Sequence, residues 1–72
     1  SPGKAAPVVL TERETEVLVR VSKGYTLPEI GDQLNLSRHT IADYVKQIYR
    51  KLNVTSRAEA AVEAHRMGLV GE

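Results

Sequence analysis

Residues 26–52 most constrain how this chain of 72 residues can fold. Their apolar positions recur every three or four residues in two runs, the spacing of helices that bury one face. The first run contains Ile30 and Leu34. Residues 35–37 separate it from the second run, and Asn35 adopts the left-handed conformation of a tight turn more readily than most residues do. The pattern predicts a short helix, a three-residue turn and a longer helix that ends near Leu52.

The longer helix is predicted to be apolar on one side and cationic on the other. Its apolar stripe is spaced by four, three and four residues and consists of Ile41, Val45, Ile48 and Leu52. From residue 37 to residue 57, five lysines and arginines accompany one aspartate, a local charge of +4 in a chain with a total of +1. A helix with a free cationic side can enter the major groove of DNA. Solvated cations on an ordinary helix surface would give a similar cluster.

A further helix is predicted before this pair, over residues 11–23. Thr11 and Glu14 have the spacing of a capping box, in which each side chain bonds the backbone N–H of the other residue. Thr26 and Glu29 repeat that spacing at the start of the short helix. Gly31, inside the short helix, predicts a close approach to the next helix. The inward stripe of the first helix is predicted to be Val17, Leu18 and Val21.

A fourth helix is predicted over residues 56–67, with Ser56 and Glu59 as a third capping box. Its inward residues are predicted from helical spacing to be Ala58, Ala61, Val62 and His65. No segment alternates with a period of two for long enough to form a strand. The predicted fold is therefore all-α, a compact four-helix bundle with a central helix-turn-helix. Residues 1–9 are predicted to be a linker end or a cloning remnant, and residues 10–72 the folded domain.

The composition argues against several classes of protein. The chain has no cysteine, and its two histidines, His39 and His65, lack the spacing of metal ligands, so no zinc site or other cofactor is predicted. No apolar run reaches about 18 residues and no secretory signal is visible, which favours an intracellular protein. His39 is interpreted as an exposed surface residue because no catalytic partner is placed near it. An enzyme is therefore disfavoured.

The exposed side of the longer helix contains the residues that we predict to contact DNA. The N-terminal half of such a helix usually reaches base edges, and its C-terminal end meets the backbone. Lys46 can donate to guanine and Gln47 can pair with adenine. Ala42 can touch a thymine methyl, and Asp43 can accept from cytosine N4. Base contacts are therefore predicted at Ala42, Asp43, Lys46 and Gln47.

Contacts with the DNA backbone are predicted at a second set of residues, which set affinity and register rather than sequence preference. Thr26 and Ser37 belong to it because helix N-termini attract phosphate, although capping alone would also explain both hydroxyls. The complete set is Thr26, Ser37, Arg38, Arg50, Lys51 and Arg57.

Together these motifs resemble the LuxR/NarL-type helix-turn-helix domain. The resemblance covers residue 10 to about residue 70 and is carried by LTERETEVL, KGYTLPEIGDQLNLSRHTI and VKQIYRKLNVTSRAEAA. It implies a DNA-binding module of cytoplasmic bacterial transcription regulators, often response regulators of two-component systems. It also implies an N-terminal receiver or sensor domain in the full-length chain and a homodimer formed through the fourth helix. For single residues it implies groove contacts at Ala42, Asp43 and Lys46 and a backbone contact near Lys51.

Two residues depart from the family's pattern. Ala42 stands where the family often has lysine, and Asp43 adds an anion where neutral or basic residues are common. Both support an alternative hypothesis, a protein-interaction or dimerisation module with degenerate DNA contacts. The promoter-reading region of a sigma factor has a similar helix-turn-helix, but the predicted fourth helix argues against it.

Overall fold

The computed structural model describes residues 8–71, and these form four α-helices. The helices are α1 (Glu12–Ser22), α2 (Leu27–Leu34), α3 (Arg38–Leu52) and α4 (Arg57–Arg66). The described residues contain no strand, so the all-α prediction is confirmed. None of these helices is long and apolar enough to cross a membrane. Of the linker predicted over residues 1–9, all but Val8 and Val9 lies outside the described residues, and that division of the chain stays a prediction.

The first two helices begin with the predicted capping boxes. In α1, the Glu14 N–H donates to Thr11 Oγ1 at 3.1 Å, and the Thr11 N–H donates to Glu14 Oε1 at 2.9 Å. In α2, Thr26 and Glu29 make the same pair of bonds at 3.2 and 2.9 Å. These bonds satisfy N–H groups that have no partner inside the helix, and so they fix where each helix starts.

The third predicted capping box is only half correct. The Glu59 N–H donates to Ser56 Oγ at 3.1 Å, as expected. The Glu59 carboxylate, however, accepts from the N–H of Thr55, at 2.7 Å, rather than from that of Ser56. The φ of Ser56 is −143°, against −70° and −77° at the other two caps. This more extended backbone turns the N–H of Thr55, one residue earlier, toward Glu59.

The turn between α2 and α3 has the predicted left-handed residue, but Gly31 has a different neighbour from the one expected. Asn35 has φ 61° and ends α2, and the Leu36 N–H donates to the Gly31 carbonyl at 2.8 Å. A Cβ atom on Gly31 would lie 2.5 Å from the backbone oxygen of Leu36. The closest approach is therefore to the backbone of the turn, and the backbone N of Arg38, the first residue of α3, follows at 3.6 Å, an ordinary contact distance.

The core lies where the four helices meet, and α1 provides its largest share. Its buried residues are Val17, Leu18, Val21, Ile30, Ile41, Ile48, Ala60 and Ala64. The stripes predicted for α1 and α3 are confirmed, with Val45 and Leu52 of α3 partly buried against this cluster. Leu69 and Val70, after α4, also pack on it.

The prediction of which face of α4 is buried is wrong. Ala60 and Ala64 are buried, whereas Ala58, Val62 and His65 are exposed and Val62 is 52% exposed. The helix has apolar residues at helical spacing on two sides, so periodicity does not choose between them. The structure buries the side with the smaller residues because α4 packs mainly against α1, and alanine allows the two helices to come close.

We expect Gly31→Val to destabilise the domain by about 1–3 kcal/mol, because the turn backbone must move to admit the side chain. Urea unfolding followed by circular dichroism measures the change. Asp32→Val is the matched control, since Asp32 is exposed on the same helix and the two residue types have similar helix propensity. Equal stability of the two variants would contradict the proposed collision.

Candidate nucleic-acid interface

The side of α3 that faces away from the core carries a continuous row of exposed polar side chains. Its members follow one another at intervals of four, three and four residues, so they lie along one line on the helix surface. Each of them is exposed. We call this row the outer ridge, and it consists of His39, Asp43, Lys46 and Arg50. Because Ile41 and Ile48 are buried on the opposite side of α3, the outer ridge is the part of α3 that can enter a groove.

The four residues predicted to contact bases lie on or beside the outer ridge. Asp43 and Lys46 belong to the ridge itself. Gln47 is exposed on one flank, and Ala42 is half-buried on the other. All four are thus within reach of a surface laid along α3, and Ala42 presents the least area to it.

Gln47 is already engaged by a ridge residue. Arg50 Nη1 donates to Gln47 Oε1 at 3.2 Å. A glutamine that pairs with adenine through two bonds uses that same oxygen as its acceptor. One of the two acceptor positions of this oxygen is therefore already used by Arg50, and the predicted adenine contact has to share the oxygen with Arg50 or displace it.

Lys51, predicted to contact the DNA backbone, also holds α3 against α1. Its Nζ lies 2.8 Å from Glu14 Oε1, and it donates to the Val9 carbonyl at 3.3 Å. The Glu14 carboxylate is almost completely buried, with 5% of the residue exposed. Its bond to Lys51 and its bond from the Thr11 N–H lower the pKa of Glu14, against the opposing effect of burial. The ion pair ties the C-terminal end of α3 to the N-terminal end of α1.

Arg57 has a comparable internal contact. Its Nη1 donates to the Val21 carbonyl at 3.0 Å, which joins the start of α4 to the end of α1. The hydroxyls of Thr26 and Ser37 accept from backbone N–H groups of their own helices, at 3.2 Å in both cases. Of the six predicted backbone contacts, these four thus have a structural bond as well, and Arg50 has its bond to Gln47. Whether they also bind phosphate stays a prediction.

Arg38 and Lys46 differ from these four. Both side chains are exposed, and within residues 8–71 neither makes a side-chain hydrogen bond or an ion pair. Their donors can meet phosphate or a base edge without breaking any contact described above. Arg38 and Lys46 are therefore the cations that can bind DNA without the loss of an internal contact.

The pairing of Glu14 with Lys51 was missed in the sequence analysis, although the sequence contains a signal for it. Glu14 precedes Val17 by three residues and Leu18 by four, which places its carboxylate on the inward side of α1. A carboxylate in that position requires a cation or several hydrogen bonds. Periodicity does not show which of the chain's ten lysines and arginines supplies the charge.

The exposed side of α3 presents hydrogen-bonding groups suited to recognition. Within residues 8–71 no group of three His, Asp or Glu side chains is placed to hold a metal ion. The outer ridge instead presents hydrogen-bond donors from Lys46 and Arg50 and acceptors from Asp43. Base edges in a major groove are distinguished by this kind of mixed pattern of donors and acceptors.

Comparisons with known proteins agree with this geometry. Residues 8–64 match the family described as bacterial regulatory proteins, luxR family. The chain is 42% identical over 69 residues to the probable transcriptional regulatory protein NarL of Mycobacterium tuberculosis, covering 93% of this chain and 32% of the relative. It is 43% identical over 61 residues to the transcriptional regulatory protein LiaR of Bacillus subtilis, covering 85% of this chain and 29% of the relative. It is 45% identical over 62 residues to ComA of the same organism, covering 86% and 29%. The chain thus spans less than a third of each of these relatives.

We expect Glu14→Gln to reduce the sensitivity of the fold to acid. Because the pKa of Glu14 is lowered in the folded state, its carboxylate adds stability that is complete above the ordinary glutamate value of about 4.3 and lost as the pH falls below it. The variant lacks this contribution, so its free energy of unfolding should fall less between pH 5 and pH 3 than that of the unaltered chain. Urea unfolding at several pH values measures the slope.

The variant should also lose about 1–3 kcal/mol of stability at pH 7, because Lys51 is left facing a neutral amide. Glu12→Gln is the matched control, since Glu12 is exposed in the same first turn. If the two variants had the same stability and the same acid sensitivity, the ion pair would have no structural role.

Proposed function

Because this chain belongs to the luxR family of bacterial regulatory proteins, we propose that it binds double-stranded DNA in a sequence-specific manner, as the output domain of a transcription regulator. In this proposal α3 lies in the major groove with the outer ridge toward the base edges. The observation that supports it best is that one side of α3 packs into the core while the ridge opposite is exposed and carries Lys46, which makes no side-chain hydrogen bond or ion pair within residues 8–71.

The proposed contacts divide into two groups. Asp43 and Lys46 read base edges from the ridge, with Ala42 and Gln47 contributing from its flanks. Arg38 and Arg50 bind phosphates at the two ends of α3, and the Thr26, Ser37, Lys51 and Arg57 groups add further backbone contacts. Phosphate contacts supply affinity for any duplex, and base contacts supply the preference for one sequence.

The length of the relatives supports a proposal about the complete protein. NarL, LiaR and ComA are about three times as long as the segment that matches this chain. We propose that the full-length protein is a cytoplasmic response regulator, in which an N-terminal receiver or sensor domain controls this domain.

The exposed side of α4 supports a homodimer on DNA. Ala58, Val62 and His65 lie at intervals of four and three residues and form an outward stripe, in which Ala58 and Val62 are apolar and His65 is polar. A second copy that packed along this stripe would bury Val62, which is 52% exposed in the single chain. Such a dimer would bind two half-sites about one helical turn apart.

A protein-interaction module with degenerate DNA contacts is the second candidate. Asp43 favours it, because a carboxylate on the outer ridge opposes the approach of phosphate. The two functions are separated by selecting binding sites from random duplexes and then titrating salt. A DNA-binding domain enriches a common sequence, and its affinity falls steeply with salt because bound counterions are released. No enrichment and no salt dependence would favour the protein-interaction module.

We expect Lys46→Ala to weaken binding to the selected site by about 1–3 kcal/mol, the usual value of a good base contact. The loss of affinity of this variant for a random duplex should be smaller. Fluorescence anisotropy on both duplexes gives the ratio of specific to random affinity. Lys23→Ala is the matched control, an exposed lysine outside α3 that should leave this ratio unchanged. An unchanged ratio for Lys46→Ala would place the base contacts elsewhere.

We expect Val62→Glu to reduce binding to a duplex with two half-sites while leaving binding to a single half-site unaltered. The added charge would lie in the dimer interface, and two carboxylates brought together there repel each other. Met67→Glu is the matched control because Met67 is 38% exposed and lies just after α4, outside the outward stripe. Unchanged binding of Val62→Glu to the paired half-sites would contradict dimerisation through α4.

A further inference from the structure

His39 is the first residue of the outer ridge and lies one helical turn before Asp43. Its side chain is exposed, and the hydrogen bonds and ion pairs among residues 8–71 leave its ring unengaged. It is in the first turn of α3. In a helix that lies in the major groove, this is the part that contacts base edges. Neither the sequence motifs nor the family resemblance assigned it a role in binding.

Asp43 places a negative charge on the surface proposed to approach DNA, and a cationic His39 can offset that charge. Its carboxylate is exposed at the centre of the surface proposed to approach a polyanion, and within residues 8–71 it has no ion-pair partner. Side chains three or four residues apart on a helix are neighbours. For Asp43 the potentially cationic ones along the ridge are His39 before it and Lys46 after it. A proton on His39 would neutralise the charge of Asp43 on the side nearest the start of α3.

We propose that His39 is a specificity-determining DNA contact that binds in its protonated form, so that complex formation takes up a proton. This inference rests on the proposed DNA-binding function. The imidazolium donates from both ring nitrogens. It can therefore meet the acceptor edge of a guanine while it faces the Asp43 carboxylate. The negative field of the duplex favours the protonated ring, and by linkage a lower pH then favours the complex.

The charged groups on α3 and on the helices packed against it are the same in all the variants needed for a test. On α3 itself they are Arg38, Asp43 and Lys46. On α1, Glu14 lines a cleft together with Asp43, but its charge is already balanced by Lys51. On α2, which packs against α3, the acidic residues are Glu29 and Asp32. None of these groups is altered when His39 is replaced.

The chain offers an internal control because it has only one other histidine. His65 is exposed on α4, and its Nδ1 lies 2.9 Å from the Ala61 carbonyl of the same helix. Replacing it with glutamine removes an imidazole from the same protein without changing the outer ridge. A duplex with a single half-site removes any contribution of dimerisation through α4.

The test compares the unaltered chain, His39→Gln and His65→Gln on a selected single half-site duplex at pH 6.0, 7.0 and 8.0, at constant ionic strength. Fluorescence anisotropy gives Kd at each pH, and circular dichroism confirms that each variant is folded. For the unaltered chain and for His65→Gln we expect binding about fivefold tighter at pH 6.0 than at pH 8.0, because a complex that takes up a proton is favoured at lower pH. For His39→Gln we expect less than a twofold change, and weaker discrimination between selected and random duplexes at pH 6.0.

Two results would overturn the proposal. One is binding of the unaltered chain that is salt-dependent but independent of pH, and the other is a pH dependence that His39→Gln retains. Either result leaves the DNA-binding function intact and rejects only the role of His39. If the unaltered chain bound no duplex at any pH, the DNA-binding function would fail, and the role of His39 with it.

Discussion

The ion pair between Lys51 and Glu14 adds a directional contact to the apolar packing that holds α3 against α1. Burial of Ile41 and Ile48 holds α3 to the core, but apolar contacts have little directional preference. The bond of 2.8 Å from Lys51 to a buried carboxylate that also caps α1 does have one. It joins the last turn of α3 to the first turn of α1, and it reinforces the orientation set by burial of Ile41 and Ile48, in which the outer ridge faces away from the core.

This bond also changes how the positive charge of residues 37–57 should be interpreted. The sequence shows five cations and one anion there, a surplus that suggests attraction to a polyanion. In the fold, Lys51 is paired with Glu14, and Arg57 donates to the end of α1. The cations most available to a duplex are Arg38 and Lys46, with Arg50 bound only to Gln47. In the proposed complex, fewer cations than the sequence suggests can bind phosphate without giving up an internal contact.

Much of the fold follows from local signals in the sequence, and the exceptions are tertiary. The capping pairs and apolar spacing predict all four helices, and the comparisons confirm the family that the motifs suggested. The buried side of α4 was predicted incorrectly because Ala60 and Ala64 compete with Val62 at equivalent helical spacing, and only the close approach of α1 decides between them. The same limit applies to Gly31, whose neighbour is the turn backbone, and to Glu59, whose partner depends on the backbone angle of Ser56.

In the candidate site too, local signals predict some features and miss those that depend on tertiary contacts. Helical spacing was sufficient to place Asp43 and Lys46 on the exposed side of α3. It was not sufficient to show that Ala42 is half-buried, that Gln47 is held by Arg50, or that Lys51 is paired with α1. Those facts depend on contacts between side chains and between helices.

The most direct measurement is an NMR titration of the domain with a selected duplex, followed through backbone amides and the His39 ring. The outer ridge lies against the duplex if the largest changes fall on residues 38–50, while the buried residues of α1 and α4 change little. Large changes confined to α4, with α3 unaffected, would contradict that orientation and with it the proposed function.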